Sequence, residues 1–189
     1  MNEQLAPAVF VITVLEKMDI PYFVGGSIAS ATYGESRTTL DADIIANLSI
    51  GHITPLQNAL KDHFYIDTEM IADAIKHRGR FNLLHLDTMF KIDIFIPQER
   101  AFTQSQFERR QKLPVDSEGR HSIYLASPED VILAKLEWYR AGNEVSERQW
   151  NDVIGIIKTQ AGALDRDYLR LWAVELSVGD LLDRALGHH

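Results

Sequence analysis

Apolar residues recur along this chain with two different periods, and the change of period divides it. Over residues 4–18 they return at helical spacing, and the run stops before Pro21. "PYFVGG" reads as a short strand ending in a turn, and "SIASATYG" as a short helix with Ser27 as its N-cap and Gly34 as its stop. "LDADIIANL" alternates and then turns apolar, which predicts a strand. "ITPLQNALKDHF" and "DTEMIADAIKHRG" return to helical spacing. "RFNLLHLDTMFKIDIFIP" predicts a hairpin joined around Asp87-Thr88, and "FERRQKLPVDSEGRHSIYLA" a second strand pair around a turn at Asp116–Gly119. From Ser127 onward only helices are predicted. "SPED" combines a capping serine, a proline at the first helical position and acids in the first turn, and "SERQ" repeats the capping pattern at 146–149. "DRDYLRLWAVEL" and "VGDLLDRAL" follow. The expected organisation is an α/β half over residues 1–126, with a small mixed sheet and flanking helices. A C-terminal helical bundle over 127–187 packs on it or forms one compact unit with it.

Composition narrows the class. The chain has 189 residues, 46% of them apolar, enough for one ordinary core. It has no cysteine, which removes disulfides, thiol nucleophiles and thiolate zinc sites and suits a reducing cytoplasm. The N-terminal apolar run is broken by Glu16 and Lys17 and lacks a basic leader, so neither a signal peptide nor a membrane span is expected. A formal net charge of −8 argues against a broad nucleic-acid-binding surface. The seven histidines show no metal-ligand spacing.

The chemistry concentrates in "FVGGSIASATYGESRTTLDADII". On a strand, Asp41 and Asp43 project to one face while Ala42 and Ile44 point into the core. Two carboxylates held that close repel unless a cation or a proton sits between them. An all-oxygen pair suits Mg²⁺ or Mn²⁺, and Mg²⁺ is ordinarily completed by substrate phosphates. Gly25, Gly26 and Ser27 supply a phosphate cradle: glycine lets backbone approach an anion, and a helix starting there aims N–H groups at it. "MFKIDIFIP" adds a third acid, Asp93, on a strand whose other face is Ile92, Ile94 and Ile96. Three carboxylates can hold two metals around an in-line displacement at phosphorus. The structural alternative for Asp93 is an ion pair with Lys91 or Arg37.

This pattern resembles the nucleotidyltransferase superfamily that includes polymerase β, whose signature is Gly, Gly or Ser, a spacer, and Asp-apolar-Asp/Glu-apolar, with a third acid on a later strand. Here thirteen residues (28–40) separate Ser27 from "DADI". "GGSIAS…G..R.T.DAD" is similar to the small bacterial AbiEii-type group, which includes toxin components. Members of that group carry a lysine on a downstream helix and an aspartate on the next, matched by Lys135 and Asp152. The resemblance implies transfer of a nucleoside monophosphate from an NTP to an acceptor (a small molecule, protein or RNA) with release of pyrophosphate. Asp41, Asp43 and Asp93 would be catalytic and hold two Mg²⁺ or Mn²⁺ ions. Gly25, Gly26, Ser27, Arg37, Lys91 and Lys135 would contact the nucleotide.

Bland readings stand beside these. Lys135, on a helix apolar almost all round, snorkels to solvent or points into the cleft. Asp152 pairs with Arg148 one turn earlier. Trp138, Trp150 and Trp172 fill the core of the helical half. One rival to the enzyme remains, a non-catalytic binding protein of the same fold acting as an antitoxin or scaffold on a partner protein; within catalysis the runner-up is a toxin that modifies tRNA ends.

Overall fold

The computed structural model describes residues 5–35, 41–115 and 121–187. Arg37 and the turn expected at Asp116–Gly119 lie outside those residues. The described chain divides into two units, residues 5–25 with 41–125, and residues 26–35 with 126–187.

The first unit is built on a mixed sheet. Its strands are β1 (Tyr22–Val24), β2 (Asp41–Ala46), β3 (Phe64–Tyr65), β4 (Arg80–His85), β5 (Lys91–Phe95), β6 (Gln111–Pro114) and β7 (Ser122–Leu125), in the order β3-β4-β5-β2-β1-β7-β6. β2 runs parallel to β5, and β1 parallel to β7; the other neighbours are antiparallel. The alternation of "DADIIA" decides which way β2 faces. Ala42, Ile44 and Ala46 are fully buried, and Asp41, Asp43 and Ile45 are half-buried. On β5, Ile92 and Ile94 continue the buried face. Helices α1 (Ala6–Lys17), α3 (Ile53–Leu60), α4 (Thr68–His77) and α5 (Ala101–Arg109) belong to this unit, with α2 falling to the other. α1 buries Val11, Ile12 and Leu15. α4 starts where Asp67 accepts from the N–H groups of Glu69 and Met70, and it ends at Arg78, which is left-handed. α5 replaces part of the expected strand pair: "FER" is helical, Phe107 packs its ring on Phe23 at 5.0 Å, and the antiparallel pairing is between β6 and β7.

The second unit contains α2 (Gly26–Tyr33), α6 (Pro128–Ala141), α7 (Glu147–Gln160), α8 (Arg166–Glu175) and α9 (Gly179–Leu186). The two capping signals form as read: Ser127 Oγ accepts from the Asp130 N–H at 3.2 Å, and Ser146 Oγ from the Gln149 N–H at 3.4 Å. Gly34 ends α2 with its N–H on the Ser30 carbonyl. An added Cβ at Gly34 would lie 3.1 Å from the Ile156 nitrogen, so the residue also lets α2 meet the α7 backbone. α6 buries two acids in its first turn. Tyr168 donates to Asp130 at 2.7 Å, and the Asp165 N–H donates to Glu129 at 2.9 Å, which ties α6 to the start of α8. The tryptophans depart from expectation. Trp138 is exposed and Trp150 and Trp172 are half-buried, because the core positions of these helices go to smaller aliphatic residues. Among the described residues no helix is long and apolar enough to cross a membrane.

Candidate active site

The sheet unit sets the carboxylates by register. In the β2–β5 ladder Asp41 stands beside Lys91 and Asp43 beside Asp93. Residues paired across neighbouring strands share a face, so all three aspartates lie on one face of adjacent strands, spaced by roughly 5 Å between strands. Across β5, Asn82 of β4 stands opposite Asp93 on that same face. Asn82 extends the polar row, and the sequence pattern did not single it out because a lone asparagine on an alternating strand looks like any solvent-facing position.

Asp93 is 7% exposed, and burial of its charge is offset by Lys91, whose Nζ lies 2.8 Å from Oδ2. The structural alternative foreseen for Asp93 is therefore realised through Lys91. The lysine side chain is 45% exposed against 10% for the aspartate, so the ammonium stays largely in water. On the neighbouring strand, Gly25 donates its N–H to the Asp43 carbonyl at 2.9 Å, which fixes the backbone of Asp43.

The donor set is all carboxylate oxygen, the chemistry hard divalent cations prefer. Among the described residues no group of three or more His, Cys, Asp or Glu side chains is drawn together as a metal cage. A site of one or two carboxylates completed by substrate phosphates needs no such cage, and Asp43 beside Asp93 fits that kind of site.

In the helical unit, Gly26 opens α2 at φ 52°. A side chain there would be strained by about 1–2 kcal/mol. Ser27 is not the cap expected: it lies inside the first turn, 8% exposed. Its hydroxyl accepts a hydrogen bond from Arg148 Nη2 at 3.1 Å. Arg148 is thus not turned to Asp152. Lys135 takes Asp152 instead, Nζ to Oδ2 at 2.8 Å, with both side chains 12% exposed. Lys135 neither snorkels nor stands open. Sequence spacing on one helix favoured Arg148–Asp152, and packing between α6 and α7 overrode it.

Two tyrosines, one in each unit, hold their protons tightly. Burial pushes the Tyr33 hydroxyl up to about 12, and the charges of Glu129 and Asp130 add to it. Tyr22 is also pushed up, first by burial and then by its hydrogen bond to Glu16 at 2.7 Å.

No known family profile matches the sequence, and no curated protein is similar to it. Solved structures are. An antigenic nucleotidyltransferase-like protein from Paracoccidioides brasiliensis superposes with a TM-score of 0.57 over 98% of this chain and 93% of its own, at 17% identity. The fold is nucleotidyltransferase-like. ANT(2")-Ia in complex with adenylyl-2"-tobramycin gives a TM-score of 0.58 over 89% of this chain and 95% of its own, at 13% identity. The lincosamide antibiotic adenylyltransferase LnuA, lincomycin-bound, gives 0.50 over 82% and 96%, at 15% identity. At these identities the likeness is one of fold, and the mixed sheet with flanking helices agrees with the architecture expected from the sequence.

Proposed function

We propose that this chain is a divalent-metal-dependent nucleotidyltransferase that moves a nucleoside monophosphate from an NTP to an acceptor hydroxyl. The observation that carries the reading is the β2–β5 register: Asp43 beside Asp93 on parallel strands, with Asp41 on the same face, in a nucleotidyltransferase-like fold. Asp41, Asp43 and Asp93 are assigned to Mg²⁺ or Mn²⁺, and Gly25, Gly26 and Ser27 to the β- and γ-phosphates. The metal supplies charge neutralisation at the phosphates. The acceptor oxygen bonds to the α-phosphorus as the bond from that phosphorus to the bridging oxygen breaks, and pyrophosphate leaves with that electron pair. Asp93 takes the acceptor proton once Lys91 releases it, and Lys91, beside Asp41, offsets charge on the phosphates. Lys135, bound to Asp152, is left out of the step.

The antibiotic adenylyltransferases of similar fold make small hydroxylated molecules the first acceptors to test. The experiment is mass spectrometry of lincosamides, aminoglycosides, protein and RNA after incubation with each NTP and Mg²⁺ or Mn²⁺. A mass gain of one nucleoside monophosphate on any acceptor is expected. With Asp43→Asn it should fall on the order of 100-fold or more, since the lost ligand serves charge that develops in transfer. Undiminished transfer by a folded Asp43→Asn protein would move the chemistry elsewhere.

A further inference from the structure

The two faces of the sheet differ beyond the carboxylates. On one face Ile44, Phe81, Leu83 and Ile94 are buried. On the other, register lays two rows across β2, β5 and β4: Asp43–Asp93–Asn82 and Ile45–Phe95–Arg80. The rows lie about 7 Å apart along the strands, with roughly 5 Å between neighbours in a row. Asn82 and Arg80, on β4, are both exposed. Among the described residues Arg80 meets no carboxylate. Its guanidinium stands over the Phe95 ring, 5.9 Å from the centroid, a placement that leaves its N–H edge open. The Asn82 amide likewise has no partner among the described residues. Strand order gives these two residues a side. In an in-line displacement the attacking and leaving oxygens lie on opposite sides of the phosphorus. β1, which runs into Gly25, borders β2 on one side; β5 and then β4 border it on the other. With pyrophosphate drawn towards Gly25, the acceptor enters over β5 and β4.

We propose that Arg80 and Asn82 bind the acceptor, and that Arg80 makes the acceptor a small hydroxylated molecule bearing a carboxylate or a phosphate in preference to an amine. The inference rests on the nucleotidyl-transfer reading, because it takes Asp93 as the base and Gly25 as the phosphate side. Every residue it uses belongs to the sheet unit. Asn82, in register with Asp93, offers amide donors and an acceptor to hydroxyls beside the one that reacts. Arg80, one row further, offers a fixed charge and a fork of donors that a carboxylate or a phosphate matches. With the aspartates assigned to Mg²⁺ or Mn²⁺, Arg80 is the charge that β4 turns to the acceptor. The structural alternative is a solvated edge on which Arg80 only covers Phe95.

The test is transfer from each NTP in Mg²⁺ to glucose, glucosamine, glucuronate and glucose 6-phosphate, read by mass spectrometry, with NTP binding by calorimetry and melting curves alongside. In the wild type the better of the two anions should exceed glucosamine in kcat/KM on the order of 10- to 100-fold, and which anion leads tells a carboxylate site from a phosphate site. Arg80→Gln should bring the anions and glucosamine within about threefold of each other, and Arg80→Glu should reverse the order. Arg80→Lys, which keeps the charge and loses the fork, should retain part of the preference, and it stands in should the glutamine protein fail to fold. Asn82→Ala should raise the acceptor KM about fivefold for all four sugars and leave the charge preference in place. Glucosamine used as well as the anions, or an anion preference that survives Arg80→Gln, would overturn the proposal. A lower melting temperature in Arg80→Gln with the preference intact would make Arg80 a cover for Phe95 and overturn it too. Transfer to none of the four would overturn it as well, and calorimetry would then decide the wider reading: NTP bound in Mg²⁺ leaves the transferase standing, and no NTP binding removes both.

Discussion

Two lysine–aspartate pairs, one in each unit, have the same length and different surroundings. Lys91–Asp93 in the sheet and Lys135–Asp152 in the helical unit both close at 2.8 Å. In the sheet the lysine side chain is 45% exposed and the aspartate 10%; in the helices both partners are 12% exposed. An ammonium already in water can leave its partner at small cost, because it regains hydration as it goes. An ammonium enclosed with its carboxylate cannot, since parting strands two charges at low dielectric. Distance alone would rank the pairs as equals. Burial says that the sheet pair can part at small cost and that the helical pair is a structural tie between α6 and α7.

The contrast is broken most directly by Lys135→Met. Removing the ammonium while Asp152 stays should cost about 3–5 kcal/mol of unfolding free energy, read from urea denaturation. The double variant Lys135→Met, Asp152→Leu should recover most of that, because two apolar side chains of similar volume tolerate the site as well as an ion pair does. A Lys135→Met protein of near wild-type stability would mean that the pair contributes nothing and that Lys135 is free for nucleotide after all.

Asp93→Asn is the matching change in the sheet, and a smaller effect is expected. It removes the bond to Lys91 but also removes a negative charge that stands in register with Asp43, so the two consequences oppose each other. In EDTA the unfolding free energy should change by about 1 kcal/mol or less. In Mg²⁺ and ATP the wild type should gain stability by mass action and the variant should gain less. A loss in EDTA as large as that of Lys135→Met would show that the sheet pair is as structural as the helical one.

What was legible in the sequence divides along the same physical line. Local signals carried through: the alternation that turns Asp41 and Asp43 together, the serine caps at 127 and 146, and the glycine that ends α2 are each decided within a few residues. Failures came where partners are distant or burial is polar. α5 was missed because Thr103 and Gln106 fill two of its three buried positions, which leaves no apolar period to detect. Arg148 was assigned to Asp152 by the one-turn rule, yet tertiary packing brought Lys135 to Asp152 and Arg148 to Ser27. The pairing of Asp43 with Asp93 needed the strand order, which alternation alone does not supply.

The smallest expected effect compares the two buried tyrosines. A phenol whose folded pKa is raised above its ordinary value of about 10 keeps its proton longer when folded than when unfolded. For Tyr33, at about 12, the native state therefore binds more protons between about pH 10 and about pH 12. The stability this contributes is complete below about pH 10 and is lost as the pH rises to about 12. Tyr22 acts in the same direction in the sheet unit, with burial first and Glu16 second among its causes. Tyr33→Phe should therefore flatten part of the alkaline decline in unfolding free energy. Only the difference from wild type is informative, because lysines titrate in the same range. Tyr22→Phe should flatten a separate part and also release Glu16, so its effect at neutral pH should exceed that of a residue shifted by burial alone. The measurement is urea denaturation of the three proteins from neutral pH to about pH 11, with phenolate absorbance followed in parallel. If Tyr33→Phe and wild type decline in step, the Tyr33 hydroxyl titrates as it would in water. The burial beside Glu129 and Asp130 would then be looser than the packing around α6 requires.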